Sequence, residues 1–106
     1  MAERTINKDI SNSINKFVKE VKKQYNVIEV ILFGSYAKGT ENENSDIDIA
    51  IISDDYDDIY DCMAKLMGIT WNIDARIEPH IISIADYEND ETPFVVEVKS
   101  TEIKVA

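Results

Sequence analysis

The first part of the chain carries an amphipathic pattern. Between Asp9 and Tyr25, apolar side chains recur at steps of three and four residues, with lysines between them. The apolar positions are Ile10, Ile14, Phe17, Val18 and Val21. This spacing gathers them on one face of an α-helix and leaves the lysines on the other. The pattern therefore predicts a helix over Asp9–Tyr25, with Asn7 or Asp9 as its N-cap.

Three segments have the apolar or alternating character of β-strands. Val27–Phe33 is almost continuously apolar and ends at Gly34, which predicts a buried strand. Asp46–Ile52 predicts a second strand, whose side chains alternate between two faces. Trp71–Ser83 also alternates and predicts a third strand, which Pro79 should bend or place at a sheet edge.

Helical patterns account for most of the remaining sequence. Asp54–Met67 places its apolar side chains on one stripe, and Gly68 follows at a position where helices often end. Ser83–Tyr87 and Thr92–Lys99 each begin with a residue that can cap a short helix. Ile103–Ala106 is too short to assign. The order of these elements predicts an α+β fold, a mixed α/β sandwich in which helices flank a small mixed sheet.

Length, composition and charge restrict the classes of function. At 106 residues, we expect one domain over residues 1–106 with one core. The 21 acidic side chains exceed the 11 basic ones, and a net charge of −10 disfavours binding to long nucleic acid. Cys62 is the single cysteine, which excludes an internal disulfide and a cysteine metal cluster. No stretch is apolar enough to span a bilayer or resembles a signal peptide, so we expect a cytoplasmic protein.

The loop after the first predicted strand is a candidate phosphate site. Gly34–Gly39 should open a short helix, so that backbone N–H groups near Ser35 can face phosphate oxygens. Alone this signal is weak, because a glycine after a strand is more often only a turn.

A pair of carboxylates follows that loop. Asp46 and Asp48 lie two residues apart on a predicted strand, hence on one face and about 7 Å apart. They could simply begin an exposed edge strand. However, like charges in so apolar a strand cost free energy unless they are paired or bound to metal. Since Mg²⁺ prefers carboxylate and phosphate oxygens together, we interpret the loop and the aspartates as one site.

These residues resemble the signature of a known enzyme superfamily. Gly34-Ser35, a loop and Asp46-Ile47-Asp48 are similar to the motif of polymerase-β-type nucleotidyltransferases. The stretch Phe33–Ile51 is similar to the small branch called minimal nucleotidyltransferases (MNT), often described as antitoxins paired with a helical HEPN-domain toxin. Many relatives carry arginines at the positions of Tyr36 and Lys38, so the charge of the phosphate pocket differs here.

The resemblance implies a nucleotidyltransferase fold with a third carboxylate on a neighbouring strand. Asp74 and Glu78 share one face of the third predicted strand, and both remain candidates for metal binding. In relatives, the third acid lies about five residues before a Ser or Thr that caps the next helix. This spacing favours Glu78, which precedes Ser83. His80 lies on the same face, but one histidine without a partner is weak evidence for a ligand, so we leave it out of the site.

The resemblance also implies the reaction and its cofactors. Asp46, Asp48 and the third acid would be the catalytic residues and would hold two Mg²⁺ ions. Gly34, Ser35 and Lys38 would bind ATP, the nucleotide donor. An acceptor hydroxyl would attack the α-phosphorus, and pyrophosphate would leave. The expected acceptor is a hydroxyl on a partner toxin protein, to which AMP would be transferred.

Alternatives to this function stay open. The chain could be a non-catalytic antitoxin that only masks its partner, although retention of every motif residue argues against a decayed site. It could also act on a small molecule, as aminoglycoside nucleotidyltransferases do. A second copy of the chain could complete the acceptor site, which would make the protein a homo-oligomer.

Overall fold

The strands form one mixed sheet. The computed structural model describes residues 7–90 and 92–106, which include the strands β1 (Glu29–Phe33), β2 (Ile47–Ile52), β3 (Ile77–Ile82) and β4 (Ile103–Lys104). Their spatial order is β3-β2-β1-β4. β1 pairs antiparallel with β2 and β4, whereas β2 and β3 run parallel. The predicted mixed sheet is confirmed, and Pro79 lies in an edge strand, as its missing N–H favours.

Helices connect and flank these strands. They are α1 (Lys8–Gln24), α2 (Ser35–Lys38), α3 (Ile59–Ile73), α4 (Ile84–Asn89) and α5 (Pro93–Thr101). Asn7 caps α1 by accepting a 2.8 Å hydrogen bond from the Asp9 N–H. Ser83 and Thr92 cap α4 and α5 through their hydroxyl oxygens, which confirms the predicted starts. In the described ranges, no helix combines the length and apolar character that crossing a membrane requires.

The predicted bounds of α3 and β3 are wrong. The helix expected over Asp54–Met67 begins after its N-cap Asp58, and it continues through Gly68 to Ile73. Residues 71–76 therefore lie outside β3, although their alternation predicted a strand. The reason is burial at helical spacing: α3 places a continuous apolar side against α1, and this packing outweighs the local alternation. The residues of that side are Cys62, Leu66, Ile69 and Ile73.

An apolar layer covers each face of the sheet. On one face, α1 and α3 pack over Val30, Leu32, Ile47, Ile49 and Ile51. On the other face, Val95 and Val98 of α5 pack against Ile31, Phe33, Ala50 and Ile52. Because successive side chains of a strand point to opposite faces, Asp48 lies on the same face as Ala50. Strand alternation thus places a carboxylate on the α5 side of the sheet, at the start of β2.

Candidate functional site

Two carboxylates meet where β2 and β3 run side by side. Asp48 of β2 is the register partner of Glu78 of β3. The Asp48 side chain is 25% exposed and the Glu78 side chain 50%, so the pair lies at the rim of the apolar layer. The structure therefore brings together two of the residues that the sequence analysis named as catalytic.

Asp46 adds a third carboxyl group to this pair. It is exposed and lies directly before β2. Burial raises the pKa of the Glu78 carboxyl above its usual value, and a hydrogen bond shared with Asp46 raises it further. Neighbouring carboxylates repel one another when ionised, so a bound cation would stabilise the charged forms of these three groups.

Asp48 is the most enclosed of the three carboxylates. Burial raises the pKa of its carboxyl group above the usual value, and the neighbouring His80 imidazole acts in the opposite direction. Repulsion from Asp46 and Glu97 raises this pKa as well. The ionised form of Asp48 therefore needs a compensating positive charge in the folded protein.

His80 completes the cluster, although the sequence analysis left it out. Its Nε2 lies 3.7 Å from Asp48 Oδ1 and 3.7 Å from Glu78 Oε1, which is too long for a hydrogen bond. One possible ligand atom from each of the three residues lies within 4.8 Å of the other two. The alternation of β3 placed His80 beside Glu78, which was the available sequence signal. The approach of His80 to Asp48 depends on strand register, and no local pattern reports it.

Gly34 lies against the Asp48 carboxylate. Its φ of 77° and ψ of −150° belong to a backbone region that glycine almost alone adopts. A Cβ atom on Gly34 would collide with Oδ2 of Asp48. The Gly34 N–H donates a 3.2 Å hydrogen bond to Thr101 Oγ1, which ties the loop to α5. Glycine at this position thus allows the backbone to approach a carboxylate of the site.

The other predicted phosphate ligands lie on α2. Ser35 is half-buried and is the first residue of that helix, directly after Gly34. Lys38 is exposed in its last turn. Tyr36 is buried in the core between them, so this position contributes to packing.

Asp74, the fourth metal ligand considered, lies apart from the cluster of Asp48, Glu78 and His80. It is the C-cap of α3, and its Oδ2 accepts hydrogen bonds from Ser13 Oγ at 2.8 Å and Arg76 Nη2 at 2.7 Å. Its Oδ1 accepts from the Arg76 Nε and backbone N–H, each at 3.0 Å. These bonds, those from the Arg76 side chain above all, lower the pKa of Asp74 to about 2. Both oxygens are thus engaged in joining α1 to the turn before β3.

Comparison with known proteins identifies related sequences. The family model described as "Nucleotidyltransferase domain" matches residues 14–104. A candidate protein adenylyltransferase of Methanocaldococcus jannaschii is 45% identical over 58 residues, which cover 52% of this chain and 58% of that relative. The protein adenylyltransferase MntA of Shewanella oneidensis is 45% identical over 42 residues, covering 39% of this chain and 30% of MntA. The chain thus spans little more than half of the first relative's length, and less of the second.

Two solved structures have the same fold. A crystal structure of a toxin–antitoxin with AMP-PNP superposes with a TM-score of 0.62, covering 91% of this chain and 72% of that one at 24% identity. A candidate nucleotidyltransferase from Sulfolobus solfataricus superposes with a TM-score of 0.60, covering 96% of this chain and 90% of that one at 21% identity. At these identities the likeness establishes the nucleotidyltransferase fold, which confirms the predicted fold class.

Proposed function

We propose that this chain, which belongs to the nucleotidyltransferase domain family, transfers AMP from ATP to a hydroxyl group of a partner protein. The observation that carries the proposal is the convergence of Asp46, Asp48 and Glu78 beside Gly34. The nucleotide and acceptor are proposed from relatives described as protein adenylyltransferases. ATP and Mg²⁺ are both available in the cytoplasm, where we place the protein.

The carboxylate cluster fits a divalent cation. Burial and mutual repulsion disfavour the ionised forms of Asp48 and Glu78, so their pKa values rise in the absence of a positive charge. Carboxylate oxygens are ligands that Mg²⁺ accepts. We assign Asp46, Asp48 and Glu78 as ligands of two Mg²⁺ ions. The bound metal would neutralise negative charge on the triphosphate and on the departing pyrophosphate.

The residues of the site have separate tasks in the proposed reaction. Gly34 and Ser35 would hold the triphosphate, and Lys38 would contact its outer phosphates. The acceptor oxygen then attacks the α-phosphorus, the bond from that phosphorus to the bridging oxygen breaks, and pyrophosphate leaves. Glu78 would help to remove the proton from the acceptor hydroxyl, a role that its half-exposed position allows.

We assign the acceptor to a toxin protein of the helical HEPN type, with this chain as its antitoxin. The support is the likeness in fold to a toxin–antitoxin protein. α3 offers a surface for such a partner, because Tyr60, Met67 and Trp71 are 82%, 49% and 79% exposed and lie on one side of the helix. α3 packs on the sheet face opposite to Asp48, so the acceptor residue of a partner bound there would have to reach the carboxylates past the β3 edge of the sheet.

Label transfer tests this function. The purified protein is incubated with Mg²⁺ and α-labelled ATP, with and without the protein encoded by the neighbouring gene. We expect the wild type to label that partner and Asp48→Asn to leave it unlabelled. Asp57→Asn is the matched control, because it makes the same change in an exposed turn beyond the other end of β2. Equal labelling by both variants would contradict the assignment of Asp48.

A non-catalytic antitoxin that masks its partner is the second candidate. The exposed apolar side of α3 favours it, since binding alone could use that surface. A stable complex without label transfer by the wild type would select this function. Label found only on an added small-molecule acceptor, such as an aminoglycoside, would instead select a small-molecule enzyme.

A further inference from the structure

We infer that His80 is a metal ligand, and that the site of Asp48, Glu78 and His80 binds Mn²⁺ in preference to Mg²⁺. This inference deepens the proposed function and rests on it for the role of the two carboxylates. It adds a nitrogen ligand to the carboxylate ligands that the proposed function assigns. The chemical class of the cofactor is then a divalent first-row transition ion.

The geometry of the three donor atoms is suited to a single ion. Nε2 of His80 is equally far, 3.7 Å, from an oxygen of Asp48 and an oxygen of Glu78. An ion with bonds of about 2.1 Å can contact two donors separated by up to about 4 Å. Parallel pairing of β2 with β3 holds Asp48 beside Glu78, and the alternation of β3 brings His80 to the same face.

The state of the His80 nitrogen points to a missing partner. Nε2 is buried, and among residues 7–90 and 92–106 no atom forms a hydrogen bond with it. A buried polar nitrogen without a partner costs free energy, so its position calls for a ligand. The atom faces two carboxylate oxygens at a distance that is too long for a hydrogen bond and suitable for a shared ion.

Neighbouring rings fix the direction of the imidazole. The His80 ring contacts Phe33 at a centroid distance of 5.3 Å and Phe94 at 5.2 Å. Phe33 itself packs edge-on against Phe94, so three rings from β1, β3 and α5 form one contact group. This packing restricts rotation of the imidazole and keeps Nε2 directed at the carboxylates.

The identity of the ligand determines which ion is preferred. Mg²⁺ favours oxygen ligands in near-ideal octahedral geometry and retains several waters. First-row transition ions accept an imidazole nitrogen more readily than Mg²⁺ does, and Mn²⁺ is the member of that series that also prefers carboxylate oxygens. The His80 nitrogen should therefore increase the affinity for Mn²⁺ more than the affinity for Mg²⁺.

Electron paramagnetic resonance of bound Mn²⁺ tests this inference. Since the sequence contains one histidine, imidazole modulation in the pulsed spectrum of untagged protein can come only from His80. We expect ¹⁴N modulation in the wild type, its replacement by a ¹⁵N pattern after labelling with ¹⁵N-histidine, and its absence in His80→Gln. The isotope experiment leaves the fold unchanged, so it remains decisive if the variant does not fold.

Affinity supplies the second readout. The protein is titrated with Mn²⁺ and, separately, with Mg²⁺. The ratio of the Mn²⁺ affinity to the Mg²⁺ affinity should fall about tenfold in His80→Gln, a loss typical of metal sites from which a partner residue is removed. Bound Mn²⁺ without nitrogen modulation, no Mn²⁺ binding, or an unchanged ratio would overturn the inference. Label transfer by the wild type with Mg²⁺ is measured separately, so failure of this inference is distinguished from failure of the proposed function.

Discussion

Replacing Gly34 by alanine should damage the fold and the site together. The backbone of Gly34 has φ 77° and ψ −150°, a region in which a residue with a Cβ atom loses about 1–3 kcal/mol. The added methyl group would also collide with the Asp48 carboxylate, which would have to move. We therefore expect the free energy of unfolding to fall by about 2 kcal/mol.

The displacement of Asp48 should reduce catalysis beyond the loss of stability. An error of about 1 Å in a reacting geometry can lower a rate about a hundredfold, so label transfer by Gly34→Ala should fall by about that factor at temperatures where the protein stays folded. The measurements are urea unfolding followed by circular dichroism, and label transfer from α-labelled ATP.

Gly68 provides the matched control within the same chain. It lies inside α3, and a Cβ atom built there meets no atom within 4 Å beyond its chain neighbours and the backbone of its own helix. Alanine at this position should raise the free energy of unfolding by about 0.5–1 kcal/mol, because the unfolded chain loses freedom and the helix gains a better former. The reasoning would be refuted if Gly34→Ala were as stable and as active as the wild type, or if both substitutions changed stability in the same direction.

Three further substitutions test separate parts of the structure. A pKa of about 2 for Asp74, against an ordinary 3.8, corresponds to about 2 kcal/mol of stability that is complete above pH 3.8 and lost as the pH falls towards 2. In urea unfolding, Asp74→Asn should therefore lower the free energy of unfolding by about 2 kcal/mol at pH 7 and by about half of that at pH 3. A loss that does not depend on pH would contradict the role of the Asp74 charge. Because Trp71 is exposed, Trp71→Ala should change the free energy of unfolding by less than about 0.5 kcal/mol. The same substitution should weaken the complex with the partner, measured by calorimetry, and an unchanged affinity would exclude α3 as the partner surface. Leu66→Ala should cost about 2–5 kcal/mol in thermal or urea unfolding because Leu66 is buried between α3 and the sheet, and a cost below about 1 kcal/mol would mean that the core rearranges.

Local sequence patterns predicted the parts of this protein that depend on neighbours in the chain. The amphipathic spacing identified α1, whose N-cap is Asn7, one of the two candidates, and the cap residues Ser83 and Thr92 identified the starts of α4 and α5. β1 and β2 begin within two residues of their predicted starts. The expectation that Asp46 and Asp48 share one face rests on the two-residue period of a strand; Asp48 lies on β2, and Asp46 lies directly before it. Capping and periodicity are short-range effects, and for this reason a single sequence was sufficient to predict these elements.

Tertiary structure alone decided the features that require distant residues to meet. Alternation treated Asp74, Glu78 and His80 as equivalent positions on one strand, but Asp74 is the C-cap of α3 and bonds to Ser13 on α1. Glu78 reaches Asp48 because β3 pairs with β2 in a particular parallel register. The extension of α3 through Gly68 likewise depends on packing against α1. Strand register and the burial between helices are determined by the free energy of the whole fold. No local sequence pattern could therefore predict them.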